Sequence, residues 1–335
     1  MKIYLVGGAV RNKLLGLPVT ERDWVVVGAS VAEMVKKDFR QVGKSFPVFL
    51  HPETNEEYAL ARTERKIGPG YKGFEFNATE SVTLEEDLQR RDLTINAIAE
   101  TDEGELIDPY HGLQDLNARV LRHVSLAFVE DPVRLLRIAR FSAQLSKFDF
   151  VIAPETTKLM IHMVAKGEVD HLVPERVWHE LLLALHSTNP NAFFDVVESC
   201  QALPVLFPQL KDFSALERSV VVTDDMSVRF ASLFLMVTRD GVNAFCRLYK
   251  VPSAYQALAV LCVSHFESFQ SSLTLTSQQI LDLLQVTDAF RRENRFEKFL
   301  LVCQLFLGGG KQQALRLRKA YQVCQNISIQ PFIDA

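Results

Sequence analysis

Residues 21–24 read Glu-Arg-Asp-Trp and stand at the mouth of an apolar run, DWVVVGA (23–29). Side chains two apart on a strand share a face. Glu21 and Asp23 would therefore stand side by side with like charge, which costs energy unless a cation lies between them or water solvates both. Paired carboxylates are the usual protein share of a Mg²⁺ site in phosphate chemistry, because the ion keeps several waters and takes only one or two protein acids. Glu57, on a following hairpin, could add a third oxygen, or could simply be a surface acid beside Glu56.

Three further groups could act on such an ion's substrate. LVGGAVR (5–11) is an apolar strand that ends in Gly7-Gly8 and opens a helix. That geometry offers backbone N–H groups to an anion, and Arg11 adds a planar fork for phosphate oxygens. The stretch is neither GxGxxG nor GxxxxGK[ST], and a plain tight turn would account for it equally. LQRRDLTINAIA (88–99) places Asp92 and Asn96 four apart, on one face if the segment is helical, with Arg91 adjacent. FVEDPVRLLRIARF (128–141), read as one helix with Asp131 at zero, puts Arg134, Arg137 and Arg140 at about −60°, −120° and −180°. The apolar residues lie on the other side. A solvated face is the ordinary reading of such a pattern. However, lysine is absent, and arginine is what bidentate recognition of phosphates or base edges requires.

The elements that must position these residues are legible in outline. KIYLVG (2–7) and DWVVVGA (23–29) are apolar strand runs. AVRNKLLG (9–16) and ASVAEMVKKDF (29–39) are helical by their spacing, and VFLHP (48–52) with EEYALAR (56–62) reads as a hairpin. GPGYKGFEFNA (68–78) reads as a loop. TLEEDLQRRDLTINAIA (83–99) reads as one helix, opened by a capping box of Thr83 and Glu86. GELIDPYHG (104–112) is a strand and a turn. From about residue 113 the strand signals stop and successive helices follow, several opened by Pro or an Asp/Ser/Thr-type cap. The predicted layout is α+β: a small α/β head followed by a helical body.

Composition narrows the classes. The 335 residues are 48% hydrophobic, ample for more than one core. A net charge of −4 gives no global sign of nucleic-acid binding, so such a partner would need a local basic surface. Five cysteines, all in the second half and without CxxC spacing, read as reduced thiols of a cytoplasmic protein. No signal peptide is visible, and the longest apolar runs are too short to span a bilayer. A Rossmann-type dinucleotide enzyme lacks its third glycine and the acid at the end of the next strand.

The four groups, in this order and spacing, resemble the class II tRNA nucleotidyltransferases, the CCA-adding enzymes of the polymerase-β-like superfamily. The resemblance runs from Met1 to about residue 210 and includes GLPVTERDWVVVGAS and LVPERVWHE. It implies a nucleotidyltransferase head over 1–112, a nucleotide-selecting and neck region over 113–210, and a helical tRNA-binding region over 211–335. It implies Mg²⁺ held by Glu21 and Asp23, with Glu57 near by, and a triphosphate turn at Gly8 and Arg11. It further implies Arg91 on the nucleotide, Asp92 on the ribose, Asp131 and Arg134 reading the incoming base, and Arg137 and Arg140 continuing toward the nucleotide. The implied substrates are CTP, ATP and the acceptor stem and 3′ end of tRNA, with no membrane partner. Residues 63–85 have full length, which implies CCA rather than CC addition. A-adding or poly(A) addition, and an inactive tRNA-binding relative, are the alternatives.

Three departures stand out. The family usually has Asp where Glu21 stands, and Arg-Asp where the chain has Arg11-Asn12. The longest relatives carry a His-Asp phosphohydrolase domain, but Leu235-Met236 occupies that position here, and His265 is the one histidine beyond residue 186.

Overall fold

The computed structural model describes residues 1–42, 48–66 and 74–326. GPGYKG (68–73), in the loop singled out above, lies outside the described residues. The chain forms two compact units, Met1–Val173 with Asp195–Ala202, and Pro174–Phe194 with Leu203–Ala335.

The first unit opens with β1 (Lys2–Val6), α1 (Gly8–Leu14), β2 (Asp23–Val27), α2 (Val31–Lys36), β3 (Arg40–Gln41), β4 (Val48–Leu50) and β5 (Glu57–Leu60). There follow β6 (Thr63–Lys66), β7 (Phe74–Asn77), α3 (Leu84–Gln89), β8 (Ala99–Glu100), β9 (Leu106–Ile107), α4 (Gly112–Ala118), β10 (Val120–Leu121), α5 (Val133–Gln144), β11 (Val151–Ile152) and α6 (Pro154–Ala165). Among the described residues a mixed sheet runs in the order β3-β4-β5-β2-β1-β8-β9. The β2–β5 pair is parallel and the neighbouring pairs are antiparallel. The expected hairpin is the β4–β5 pair.

The sheet is apolar on both faces, so the strand β2 carries consecutive valines. Val25 packs with Tyr4, Val6 and Leu88 of α3, while Val26 packs with Met34 of α2, Phe49 and Leu60. Met34, Phe49 and Leu88 are fully buried. At about 1.5–3 kcal/mol for each large apolar side chain, these two layers outweigh the roughly 1 kcal/mol or less that a pair of like charges on neighbouring strand positions costs. The core can therefore hold acids where solvation alone would spread them.

Four expectations are corrected. The 83–99 helix stops at Gln89, after its capping box forms as expected (Thr83 N–H to Glu86 Oε2, 2.8 Å; Glu86 N–H to Thr83 Oγ1, 3.2 Å). Asp92 then accepts the N–H of Leu93 at 2.8 Å, and Leu93 forms a bridge to His123 in an extended conformation. A short polar side chain that bonds its own backbone competes with the helix. The 128–141 helix starts only at Val133, because the residue before Pro132 is pushed out of the helical region, and Asp131 is extended. Phe74–Asn77, read as loop, is β7, paired with β6. Strands also persist past residue 113: β10 and β11 form a short parallel pair.

The second unit is helical: α7 (Pro174–Leu185), α8 (Asn191–Ser199, shared with the first unit), α9 (Leu203–Leu206), α10 (Ser214–Val222), α11 (Met226–Ala231), α12 (Arg239–Leu248), α13 (Ser253–Gln270), α14 (Ser277–Val286), α15 (Glu293–Leu307) and α16 (Lys311–Gln325). Its core is aromatic. Phe207, Phe230, Phe234, Phe245 and Tyr249 meet mostly edge to face, with ring centroids 5.0–6.1 Å apart.

Candidate active site

Strand register brings the acids to the glycine turn. Val6, the last residue of β1, is opposite Asp23, and Asp23 is in turn opposite Glu57 on the parallel neighbour β5. Glu57 thus sits in the same row as Asp23, while the alternate face takes Trp24 stacked on Tyr58 at 5.6 Å. Glu56 is occupied elsewhere, accepting the Trp24 indole N–H at 2.9 Å and pairing with Arg22 at 3.4 Å. Glu21 precedes β2, is exposed, and acts on Asp23 as a like charge. The surrounding protein mass raises the Asp23 carboxyl above its ordinary value; Arg91 and Arg137 oppose that rise and Glu21 adds to it. Among the described residues the carboxylates of Glu21, Asp23 and Glu57 accept no hydrogen bond and join no ion pair.

The turn above them is built for Arg91. Gly7 has φ +71°, and a Cβ there would lie 2.8 Å from a terminal nitrogen of Arg91. Arg91 is held from behind by Asp87, a fully buried acid that sequence reasoning passed over. Asp87 accepts from Arg91 at 3.2 Å, from Arg90 at 2.6 and 3.2 Å, and from the Arg62 N–H at 3.2 Å. Burial pushes its carboxyl up, but the two guanidinium groups win and it lies below the usual range. The signal was present: Asp87 precedes the two arginines by three and four residues.

Arg11 is buried and threads between elements. It donates to Asn96 Oδ1 at 2.5 Å and to Asn12 Oδ1 at 2.8 and 3.2 Å. Asn12 donates in turn to the Pro18 carbonyl at 3.2 Å, so its amide is itself fixed and orients Arg11. Asp92 and Asn96 do share a contact (Nδ2 to Oδ1, 3.0 Å), made by a turn rather than the expected helix. The other Asp92 oxygen accepts Arg137 Nε at 2.7 Å. Burial opposes ionisation of Asp92, yet Arg137 and Asn96 hold its carboxyl well below the ordinary range.

The arginines of α5 are not a solvated face. Arg134 and Arg140 are 7% exposed, and Arg137 is half-buried. Arg134 donates to the carbonyls of Ala127 (2.8 Å) and Arg90 (2.6 Å), and Arg140 to Gln144 at 2.7 Å. Asp131 takes the Val133 N–H at 3.2 Å at the start of α5. Phe141 was not singled out from sequence. Its ring lies 4.9, 5.7 and 4.2 Å from the guanidinium carbons of Arg11, Arg137 and Arg140, the range of cation–π attraction. Burial, then the like charges of Arg140 and Arg137, bring Arg11 down to about 10 despite Asp92.

One surface therefore gathers carboxylates at the head of β2 and β5, a glycine turn, and guanidinium groups from α1, the segment after α3, and α5. That combination suits a polyphosphate with a hard divalent ion. The donors fit Mg²⁺: they are carboxylate oxygens crowded by like charge, with Arg91 and Arg137 acting on Asp23 only at a distance and no ion pair formed among the described residues. Among the described residues no group of three or more His, Cys, Asp or Glu is placed to hold a metal, so further ligands would be water and phosphate.

Residues 3–122 match the family model described as the poly A polymerase head domain, and residues 149–214 match one described as a probable RNA and SrmB-binding site of polymerase A. The fold and site define a nucleotidyltransferase of this head type. The chain is 49% identical to the CCA-adding enzyme of Coxiella burnetii over 99% of its own length and 89% of that protein's. It is 46% identical to the multifunctional CCA protein of Nitrosococcus oceani, over 100% and 93%. It belongs to the CCA-adding enzyme family. A solved tRNA-processing enzyme with CTP superposes at TM-score 0.72 and 22% identity, covering 98% of this chain and 90% of that one. The Thermotoga maritima CCA-adding enzyme complexed with tRNA does so at 0.66 and 23%, covering 96% and 78%. At those identities the structures speak to fold alone.

Proposed function

We propose that this chain adds CCA to the 3′ end of tRNA, transferring nucleotides from CTP and ATP and releasing pyrophosphate. The observation that carries the reading is the near-complete, 49% identical alignment with a CCA-adding enzyme, supported by an acid pair of which Asp23 lies within electrostatic reach of Arg91 and Arg137. Residues 1–112 hold the reaction, 113–210 select the nucleotide and 211–335 contact tRNA. No helix among the described residues is long and apolar enough to cross a membrane, and we place the chain in the cytoplasm.

Glu21 and Asp23 would hold Mg²⁺, which when bound neutralises phosphate charge and activates the RNA 3′-hydroxyl. Glu57 stands beside them as a further carboxylate. Gly8 and Arg11 bound the triphosphate turn, and Arg91 and Arg137 lie close enough to Asp23 to act on its charge. Arg140 keeps the fan in place through Phe141 and Gln144. The carboxyl of Asp92, engaged by Leu93, Asn96 and Arg137, limits its approach to a ribose and makes the positioning of Arg137 its main work. Arg134, its fork fixed by two carbonyls, is a rigid donor beside Asp131 for the base edge.

The test is to incubate the chain with tRNA lacking CCA, Mg²⁺, CTP and ATP, and to sequence the 3′ ends. CCA ends support the reading; variable A tails or no addition overturn it. Replacing Asp23 by Ala should abolish incorporation with the circular dichroism unchanged. Arg134→Gln should relax the choice of C and A over G and U; equal loss for all four nucleotides would remove its base-reading role.

A further inference from the structure

The second unit holds a cavity of about 500 Å³ that the nucleotide chemistry leaves unused, lined in part by Asp225, Ser227, Tyr255, Arg292, Arg295 and Lys298. Three of these side chains are cationic and one is acidic. Lys298 is engaged, with Nζ 2.6 Å from Asp225 and 3.2 Å from Ser227 Oγ. Arg292 is exposed and shares Asp288 with Arg291. Arg295 differs: its Nε is buried and finds no hydrogen-bond partner among the described residues. A buried donor ordinarily has an acceptor, so the Arg295 guanidinium is not fully spent on its own fold, and the residue lines the cavity.

The helices around the cavity favour the same sign of charge. The first turns of α13 and α15, helices of 18 and 15 residues, both line it, and neither N-terminus has a side-chain cap. Their first-turn N–H groups and dipoles attract negative charge; α15 already carries Glu293 in its first turn, whereas α13 has no acid there. At the start of α11 the chain has met that demand itself. There Asp225 accepts the N–H groups of Ser227 (2.9 Å) and Val228 (3.2 Å).

We propose that this cavity binds a phosphate group, with Arg295 and Arg292 as its donors and Lys298 as the flanking cation. The space exceeds one phosphate and suits a nucleotide-sized molecule. Two sources present that chemistry: a nucleotide unit of bound RNA, and a free phosphate-bearing metabolite.

The test uses the full chain and its Arg292→Gln/Arg295→Gln variant, with Arg295→Lys as a variant that keeps the charge and the fold but loses the fork. Thermal unfolding is followed with added inorganic phosphate at constant ionic strength. Phosphate bound elsewhere raises the Tm of all three alike, so the difference between them is the readout. The wild type should gain more than either variant. In parallel, KM for truncated tRNA is measured against salt. If RNA is the source, the double variant should raise that KM about tenfold and lower its salt slope by about one to two, with KM for CTP unchanged. If a free metabolite is the source, only the phosphate-dependent Tm gain is lost. Equal phosphate gain in all three, with unchanged tRNA KM, overturns the proposal. The thermal readout needs no turnover, so absence of CCA addition would count against the proposed function and not against this site.

Discussion

At Gly7 a single hydrogen in place of a methyl group decides the geometry of the turn. A side chain there would meet Arg91 at 2.8 Å and adopt φ +71° with ψ −131°, a region nearly closed to other residues. Gly7→Ala should cost about 1–3 kcal/mol and raise KM for CTP; an unchanged Tm and KM would show that Arg91 does not depend on the turn. Asp92 and Asp23 make opposite statements about pH. The depressed carboxyl of Asp92 adds stability above the unfolded value of about 3.9 and loses it as pH falls through that value toward the folded one. Asp92→Asn should therefore lower Tm at pH 7 and flatten the acid limb below about pH 4. Asp23 is raised, so the fold disfavours its charge at neutral pH and is relieved as pH falls through the raised value. Asp23→Asn should leave Tm at pH 7 equal or higher while incorporation is lost. A clear drop in Tm would mean that the carboxylate serves the fold instead.

Among the elements, α5 matters most, because its charged side is buried. A helix that puts arginines inward must find them acceptors, and α5 finds them in neighbouring segments: Arg134 at the Ala127 and Arg90 carbonyls, Arg137 at Asp92. These bonds join α5 to the segment after α3, so the guanidinium groups of both should move together. A double-mutant cycle of Asp92→Asn and Arg137→Gln, followed by urea unfolding, should return a coupling of about 1–3 kcal/mol. Additive effects would show that the two elements are joined by packing alone.

At the scale of the chain, the five thiols all lie in the second half of the sequence. Cys200, Cys246, Cys262 and Cys303 are buried, and Cys324 is half-buried. Burial pushes Cys200 up to about 11 and Cys246 up to about 12, and Cys303 well above its ordinary value. Thiolate is the reactive form, so Ellman's reagent should find one fast thiol, Cys324, in the native protein and five after denaturation. Several fast thiols in the native protein would mean that the helical core opens readily.

The sequence by itself determined most elements of the head and which residue types could do chemistry, while the choice among their readings came from the resemblance the four groups make together. Acid-x-acid at a strand mouth, Gly-Gly before a helix, and arginines spaced by three are local patterns whose physics needs few distant partners. Apolar periodicity likewise placed β1 and β2 and marked the chain from 154 onward as helical, without setting the individual helices beyond about residue 200. What only the tertiary structure decided was the company each residue keeps. The helix reading of 83–99 failed because Asp92 bonds its own chain and Leu93 is taken by a strand partner 30 residues away. Asp87 was legible only as a helical i,i+3 and i,i+4 partner of Arg90 and Arg91, with nothing to say that it is buried, and Phe141, a common core aromatic, carries no signal until Arg11, Arg137 and Arg140 converge on it. Periodicity reports which face is buried; it does not report what that face is buried against, and for a guanidinium group that partner decides between a surface charge and a fixed part of a site.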